Sequence, residues 1–299
     1  MPVPPSGGTQ PEVRVLLTRT VTLALSLAAA WGGFLLFLQF GAADGMDAMD
    51  IVRSALIFAS TFWLAWGAVQ ALAGLTTRPP AVPRDTGPLR GVTAILVPVY
   101  NEDPVATFAR IAAMDASLKA AGQAAQFHFA ILSDTRDEAI AARERHWFLR
   151  LLEETGGEGR IFYRRRLSNK GRKAGNIEDF IKRSGAAYEF SVILDADSLI
   201  EGETLVEMVR RMQALPELGL LQTLPVIIRA QSRFGRAMQF AGTFYSPIFA
   251  RGLAMMQGRT GPFWGHNAIV RTRAFAESCG MPELAGKPPF GGHILSHDY

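Results

Sequence analysis

The feature that most constrains this chain is a pair of long segments that lack charged side chains. Positions 20–43 and 54–77 are each a run of 24 residues without Asp, Glu, Lys or Arg, and both are rich in leucine and aromatic residues. An α-helix needs about 20 apolar residues to cross the core of a bilayer. The sequence therefore predicts two transmembrane helices, at about 20–43 and 54–77, that form a hairpin.

A cleaved signal peptide is the alternative interpretation of the first run. The apolar core of a signal peptide is about 7–15 residues long, which is shorter than this run. A second apolar run of the same length also follows the first one in the chain. We therefore favour a membrane anchor with two spans.

Charged residues around the hairpin predict its orientation. Arginines lie outside the hairpin at both ends, whereas the connecting loop is mainly acidic. These residues are Arg14, Arg19, Arg78, Arg84 and Arg90 at the ends, and Asp44, Asp47, Asp50 and Arg53 in the loop. Positively charged flanks stay on the cytoplasmic side of a membrane. We therefore expect both ends of the hairpin, and the chain beyond it, to lie in the cytoplasm.

Composition divides the rest of the chain. Residues 1–13 predict a disordered tail, and residues 78–91, rich in Pro, Gly and Arg, predict a linker. Charged residues make up 19% of the sequence, but outside the two runs their share approaches the value of about 25% that soluble domains have. A soluble domain over 92–299 excludes a disordered chain and a transporter made mostly of membrane helices. The single cysteine, Cys279, is consistent with a reducing compartment.

Short apolar runs alternate with helical patterns in the predicted domain. The predicted strands are 92–99, 127–132, 160–163, 191–194 and 218–222, and the predicted helices are 104–121, 137–154, 173–183 and 203–215. This alternation is typical of an α/β fold with a largely parallel sheet covered by helices. Ligands of such sheets bind outside the carboxyl ends of the strands. The residues that follow the strands are therefore candidates for a site.

Polar and acidic side chains follow three of the predicted strands. Tyr100 and Glu102 come after the first strand, Asp134 after the second, and Asp195 and Asp197 after the fourth. Carboxylates at one rim repel each other unless a cation lies among them. Two carboxylates on a loop are suitable ligands for Mg²⁺ or Mn²⁺. We therefore favour a metal site at Asp195 and Asp197 over a solvated turn or a helix cap.

A basic stretch, Arg164–Asn176, precedes one of the predicted helices. Its charge alone would suit nucleic acid, but the interleaved aromatic residues of a single-strand binder are missing. Gly171 and Gly175 instead allow backbone amides to approach a phosphate, and the helix that begins near Lys173 presents its N-terminus to an anion. The stretch therefore predicts a diphosphate ligand, with Arg165 interpreted as solvated or as facing anionic lipid.

A further apolar segment, 235–258, is rich in methionine and aromatic residues. One interpretation is a helix of the protein core. The other is an amphipathic segment at the membrane interface that guides an acceptor toward a channel. The sequence leaves both interpretations open.

Seven short motifs occur in the order found in processive family-2 glycosyltransferases. They are Pro98–Glu102, Ser133-Asp134, Lys173–Asn176, Asp195-Ala196-Asp197, Gln222-Thr223, Phe263–Asn267 and Ser296-His297-Asp298. From about Thr93 to Tyr299, and in its membrane hairpin, the chain most closely resembles the glucans biosynthesis glucosyltransferase H family. The resemblance implies a GT-A fold, which is Rossmann-like with a mostly parallel sheet, and the activity of an inverting glucosyltransferase.

The resemblance also implies roles for individual residues. The implied contacts of the nucleotide sugar are Tyr100, Glu102, Asp134, Lys173, Asn176 and Asp195. The implied ligands of a Mg²⁺ or Mn²⁺ ion are Asp197 and Asp195. The implied acceptor-binding residues are Phe263, Trp264, Gly265 and His266. Asp298 matches the family's catalytic aspartate, but its triplet reads Ser-His-Asp rather than Thr-Glu-Asp, which leaves the role of His297 open.

The resemblance implies glucose transfer from UDP-glucose to a growing β-glucan, as in the synthesis of osmoregulated periplasmic glucans. It implies a multi-pass protein of the bacterial inner membrane whose partners are the glucan acceptor, membrane lipid and an acyl carrier protein, without nucleic acid. The chain ends before the family's later Arg-Trp motif and membrane spans, so we expect a C-terminally truncated form. The alternatives are another processive synthase of the cellulose, hyaluronan or chitin type, and an inactive nucleotide-binding fragment.

Overall fold

The structure is a computed structural model that describes residues 9–41, 45–76, 83–278, 283–287 and 291–292. The chain divides into two compact units. The helical unit comprises Met1–Pro80 and Leu224–Gly261, and the α/β unit comprises Ala81–Thr223 and Pro262–Tyr299. The segment 224–261, which lies within the domain predicted at 92–299, is thus grouped with the N-terminal helices.

Helices and strands follow the predicted alternation closely. The helices are α1 (Thr9–Phe40), α2 (Ala48–Thr76), α3 (Pro104–Ala120), α4 (Glu138–Thr155), α5 (Arg172–Ser184), α6 (Gly202–Ala214), α7 (Arg233–Phe244), α8 (Ser246–Gln257) and α9 (Thr272–Ser278). The strands are β1 (Thr93–Val99), β2 (Phe127–Ser133), β3 (Ile161–Arg165), β4 (Phe190–Ile193), β5 (Leu220–Gln222) and β6 (Ala268–Arg271). The five predicted strands and the four predicted helices of the α/β unit are confirmed to within a few residues.

Helices α1 and α2 both begin well before the uncharged runs in which they were predicted. Helix α1 already includes Arg14 and Arg19, because charge opposes burial in a membrane but not helix formation. Both helices are long and apolar enough to cross a membrane, with mean hydropathies of 2.0 and 1.5. Their lengths and composition indicate that the chain associates with a membrane.

Close backbone packing joins α8 to the two long helices within the helical unit. A Cβ atom on Gly74 would overlap the carbonyl oxygen of Ile248, and one on Gly252 would overlap the carbonyl oxygen of Gln70. Small residues permit such close approach of helices in membranes. At the end of α8, the Arg19 guanidinium donates from Nε to the Met256 carbonyl oxygen at 2.7 Å.

Helix α7 separates the two interpretations of the apolar segment 235–258. This helix has no buried residue, and the side chains of Phe234, Phe240 and Phe244 are all exposed. The core interpretation is therefore wrong for α7, whose apolar side chains face outward. Helix α8 differs because Gly252 and Met256 are buried within the helical unit.

The α/β unit is built on a six-stranded sheet in the order β3-β2-β1-β4-β6-β5. Strands β1 to β4 are parallel, whereas β6 runs antiparallel to both β4 and β5. The prediction of a mostly parallel α/β sheet is confirmed. Strand β6 was not predicted, because it lies between a turn-rich stretch and α9, and its partners β4 and β5 are distant in the sequence.

Each face of the sheet is covered by its own apolar core. One core packs β1, β2 and β4 against α3, α4 and α6, with side chains such as Phe129 and Met114 fully buried. The other packs the opposite face against α5 and α9, through residues such as Leu96 and Phe180. Alternate residues of each strand thus serve opposite cores. The polar residues that follow β1, β2 and β4 lie outside both cores, at one rim of the sheet.

Candidate active site

The carboxyl ends of β1, β2 and β4 open into a cleft of about 770 Å³. Its lining is polar and carries both signs of charge. The lining residues are Pro98, Val99, Tyr100, Glu102, Asp134, Arg136, Asn169, Arg172, Lys173, Asp195, Ala196 and Asp197. The structure therefore brings together most of the residues that the sequence placed in a nucleotide and metal site, as expected for the ligand edge of a parallel sheet.

Asn101 fixes the loop after β1 to the loop after β2. Its backbone adopts a positive φ of 55°, and its side-chain oxygen accepts hydrogen bonds from the backbone N–H groups of Arg136 and Asp137. Its own backbone N–H donates to the Thr135 hydroxyl at 3.0 Å. Tyr100, which is about half exposed at 49%, is held at the cleft by this connection.

Asp134 is almost fully buried, and its two carboxylate oxygens accept hydrogen bonds from one arginine. The Arg166 guanidinium donates from Nε at 2.7 Å and from Nη2 at 2.8 Å. The same guanidinium also donates to the backbone carbonyl oxygens of Lys170 and Arg172. Arg166 therefore ties the basic stretch to the end of β2. The sequence did not single it out, because three consecutive arginines give no indication of which one turns inward.

The interpretation of Arg165 as solvated or lipid-facing is wrong. Its side chain is 14% exposed and forms a forked ion pair with Glu138, with N–O distances of 2.7 and 2.9 Å. Its Nε atom donates to the Thr135 carbonyl oxygen. Alternation along β3 explains this placement, since Tyr163 and Arg165 lie on the same face of the strand.

Asn176 lies beneath the cleft and does not line it. The residue is completely buried, and its amide nitrogen donates to the Leu132 carbonyl oxygen at 3.0 Å. Its amide oxygen accepts a hydrogen bond from the Arg164 guanidinium. Both polar atoms are thus used inside the protein, where they hold the first turn of α5 against the end of β2.

Lys173 connects the acidic pair to the predicted acceptor segment. Its Nζ atom lies 2.5 Å from Asp195 Oδ1 and donates to the Gly265 carbonyl oxygen at 3.1 Å. His266 Nδ1 is 3.9 Å from the other carboxylate oxygen of Asp195. The exposed Asp197 carboxylate makes no hydrogen bond or ion pair with a described residue. One lysine therefore contacts both halves of the predicted site.

The acidic pair fits a divalent cation that keeps other ligands. Across the described ranges, no group of three His, Cys, Asp or Glu side chains could enclose a metal. Mg²⁺ and similar ions are commonly held by one or two carboxylates together with water and substrate phosphates. Asp197 and the second oxygen of Asp195 provide such a set at the mouth of the cleft.

The predicted acceptor segment is held by Gln222 at the end of β5. The Gln222 amide donates to the Pro262 carbonyl oxygen and accepts from the Trp264 backbone N–H, each at 3.0 Å. Trp264 is 36% exposed, whereas Phe263 is half-buried against the core that includes α5. Trp264 is thus the more exposed of the two aromatic rings.

Two residues named by the sequence cannot be placed relative to the cleft. Asp298, which matches the family's catalytic aspartate, and the neighbouring His297 lie outside the described residues. Their roles stay predictions. The described part of the site thus comprises the nucleotide edge, the acidic pair and the segment before β6.

In sequence and in fold, this chain is similar to family-2 glycosyltransferases with the GT-A fold. Residues 191–292 match the family model described as glycosyl transferase family group 2. A solved mannosyltransferase from Pyrobaculum calidifontis, in complex with GDP-mannose and Mn²⁺, is 16% identical. It aligns with 91% of this chain and 59% of its own, at a TM-score of 0.50, which supports the fold alone.

The particular resemblance is confirmed by relatives named glucans biosynthesis glucosyltransferase H. The chain is 70% identical over 286 residues to the protein from Cereibacter sphaeroides, covering 95% of this chain and 48% of the relative. It is 43% identical over 295 residues to the protein from Bradyrhizobium diazoefficiens, covering 96% of this chain and 39% of the relative. The chain spans about half the length, or less, of these curated relatives.

Proposed function

We propose that the chain binds UDP-glucose and transfers glucose, with inversion, to the hydroxyl group of a growing β-glucan. The observation that carries this proposal is the convergence of Asp134, Lys173, Asp195 and Asp197 on one polar cleft at the carboxyl ends of the strands. A cleft with the Lys173 ammonium, two carboxylates and helix α5 behind it suits a nucleoside diphosphate sugar. The names of the relatives supply the sugar and the product.

Different residues of the cleft are proposed to bind different parts of the nucleotide sugar. Tyr100, Glu102 and Asp134 are proposed to hold the nucleoside, because they follow β1 and β2 at the end of the cleft away from the acceptor segment. Lys173 is proposed to contact the diphosphate. Asn176 is proposed to act from beneath, by holding the turn that carries Lys173.

Asp195 and Asp197 are proposed to hold a Mg²⁺ or Mn²⁺ ion, with Asp197 as the more accessible ligand. When bound, such an ion supplies positive charge beside the diphosphate. The Lys173 ammonium, now 2.5 Å from Asp195, is close enough to share its charge with the departing UDP. The Mn²⁺ in the mannosyltransferase from Pyrobaculum calidifontis supports the choice of a divalent cation.

Asp298 is proposed as the general base of the transfer. Its carboxylate takes the proton of the acceptor hydroxyl while that oxygen forms a bond to the anomeric carbon of glucose. The bond between the anomeric carbon and the UDP oxygen breaks, and UDP leaves with both electrons. The exposed Trp264 ring, beside Gly265 and His266, is proposed to stack on the acceptor sugar, with Phe263 supporting the loop from the core side.

The organisation around the site is proposed from the same residues. We infer a tail at 1–13, two spans that place the α/β unit in the cytoplasm at the inner membrane, a linker at 78–91 and a catalytic domain over 92–299. The exposed phenylalanines of α7 support contact with membrane lipid. An acyl carrier protein is proposed as a partner on the resemblance alone.

Radiolabelled UDP-sugars test the proposal in membranes that contain the chain. We expect incorporation of glucose from UDP-glucose into a β-glucan, and a loss of at least about a hundredfold in Asp298→Asn, with UDP binding unchanged. Incorporation from UDP-N-acetylglucosamine instead would favour a chitin- or hyaluronan-type synthase. UDP binding without any transfer would favour a nucleotide-binding fragment. Undiminished synthesis by Asp298→Asn would remove the assignment of the base.

A further inference from the structure

A buried glutamate on α4 lies behind the cleft without lining it. Glu144 is 2% exposed and forms no ion pair with any residue that the structure describes. Its carboxylate accepts three hydrogen bonds, from Thr135 Oγ1 at 2.5 Å, Ser133 Oγ at 2.7 Å and Tyr163 Oη at 2.8 Å. Burial of a carboxylate is costly unless hydrogen bonds compensate it. The three hydroxyl groups provide that compensation.

The direction of these hydrogen bonds is fixed by the backbone. The Thr135 hydroxyl accepts from the Asn101 N–H at 3.0 Å, and the Ser133 hydroxyl accepts from the Thr135 N–H at 3.2 Å. Each hydroxyl has one proton to donate, and that proton points at Glu144. The network therefore runs from two backbone amides, through two hydroxyls, into one carboxylate that only accepts.

Tyr163 adds a third donor that keeps its proton. Burial, and next the hydrogen bond to Glu144, raise the pKa of Tyr163 to about 12. The phenol is thus a hydrogen-bond donor throughout the physiological range. All three contacts of the Glu144 carboxylate are consequently made by O–H groups that present their protons to it.

Members of this hydrogen-bond network are neighbours in sequence of three residues that line the cleft. Asn101 lies between Tyr100 and Glu102 in sequence, and Asp134 lies between Ser133 and Thr135. The donors come from the end of β2, the middle of β3 and the loops after β1 and β2. A shift of the Thr135 hydroxyl would therefore move the backbone that carries Tyr100, Glu102 and Asp134.

We propose that Glu144 is a positioning residue for a nucleoside diphosphate, acting through Thr135 and Ser133 on the loops that line the nucleotide end of the cleft. This inference rests on the proposed function, because it concerns the same cleft. It adds a residue that lies outside the ligand's reach and that none of the sequence motifs contains. An apolar residue at this position would fill the same space but would leave the Thr135 and Ser133 protons without acceptors.

The test measures the dissociation constant of UDP by calorimetry on the purified full chain. Thr135→Val keeps the shape of the side chain and removes the hydroxyl, and Glu144→Gln replaces an acceptor by a donor. We expect UDP to bind about tenfold more weakly to each variant, which corresponds to the loss of one hydrogen bond to a charged group. Thr135→Ser, which keeps the hydroxyl, should bind UDP with an affinity within about twofold of that of the wild type. Glu154→Gln, an exposed position on the same helix, is the control for Glu144→Gln.

Hydrogen exchange of the Asn101 amide gives a second measurement that needs no ligand. Its protection should fall by about tenfold in Thr135→Val and persist in Thr135→Ser, since only the latter keeps the acceptor. If the wild type binds UDP, and Thr135→Val and Glu144→Gln bind it with the same affinity, the inference is overturned while the proposed function stands. Failure of the wild-type chain to bind UDP would overturn the proposed function and the inference with it.

Discussion

The two units of this chain place their large apolar side chains in opposite ways. In the helical unit, Trp63 is 77% exposed and Leu64 is 71% exposed, and α7 buries no residue. In the α/β unit, Phe127 and Phe190 are completely buried. Exposed apolar surface of this extent is unfavourable in water and favourable in lipid. The comparison indicates that the two units are adapted to different surroundings, one to a membrane and the other to water.

The interactions that hold each unit differ correspondingly. The helical unit relies on backbone contact at Gly74 and Gly252, because apolar burial gives no driving force between helices in lipid. The α/β unit relies on interdigitated side chains and on polar pairs such as Asp134 with Arg166. Changes made in one unit should therefore leave the other intact, and the following experiments test that separation.

The largest effect is expected at a buried carboxylate of the α/β unit. Asp115 is completely buried, with Arg160 and Lys119 nitrogens at 2.8 and 2.7 Å from its oxygens. Asp115→Ala removes the carboxylate that neutralises both cations and leaves them only backbone carbonyl oxygens as acceptors, at Ala124 and Thr155. The substitution should lower the free energy of unfolding of this unit by about 3–5 kcal/mol. Hydrogen exchange of β1 and β2 during denaturation measures the loss. Equal loss of protection in α1 and α2 would contradict the independence of the two units. Glu154→Ala, which removes an exposed ion pair with Arg150, should change the protection of β1 and β2 little.

An intermediate effect is expected at the glycine contact of the helical unit. Gly252→Ala forces the new methyl group against the Gln70 carbonyl oxygen and should destabilise the helical unit by about 1–3 kcal/mol. Gly242→Ala is the matched control, because nothing lies within 4 Å of its Cβ position. That substitution should stabilise by about 0.5–1 kcal/mol. Thermal denaturation in detergent compares the two, and similar midpoints for both variants would be evidence against close helix packing.

A smaller effect is expected for ligand affinity at Lys173. Replacement by Met removes the ammonium that contacts Asp195 and that is proposed to contact the diphosphate. UDP should therefore bind about tenfold more weakly. Lys170→Met, at a side chain that is 67% exposed, should bind UDP within about twofold of the wild type. Calorimetry measures both. The thermal stability of the helical unit should be the same in the two variants. A difference would contradict the expectation that changes in one unit leave the other intact.

The smallest effect is expected from alkaline pH. The pKa of Tyr163 is raised to about 12 in the folded protein by burial and by its hydrogen bond to Glu144. Its contribution to stability is therefore fully present below its ordinary pKa of about 10 and is lost as the pH rises from 10 to 12. Denaturation of the wild type and of Tyr163→Phe between pH 8 and 11 should converge as the pH rises. A constant difference would contradict the raised pKa.

Much of the fold could be predicted because its signals are local. The alternation of apolar runs predicted β1 to β5. The helix predicted at 104–121 begins where the structure shows the Asp103 carboxylate capping two backbone amides. Strand β6 was missed because it leads directly into α9, and its antiparallel pairing with β4 and β5 joins residues that are distant in sequence. The separation of 224–261 from its flanks depends on contacts distant in sequence, such as that between Gly252 and Gln70.

The residues of the site could be predicted from the sequence better than the hydrogen bonds that hold them in place. Strand ends marked Asp134, Asp195 and Asp197, because polar residues that follow buried strands are conspicuous. Arg166 and Glu144 were missed, since pairing across strands and through a helix leaves no mark in the local sequence. Hydrogen-bond partners of this kind become visible only when the sheet order is known.

The central claim is that the cleft at the strand ends binds a nucleoside diphosphate sugar through the acidic pair. Calorimetric titration of the full chain with UDP-glucose, with and without Mn²⁺, tests it most directly. We expect binding that Mn²⁺ strengthens by at least about tenfold in the wild type and by much less in Asp197→Ala. The same affinity in Asp197→Ala, with the same dependence on Mn²⁺, would contradict the account.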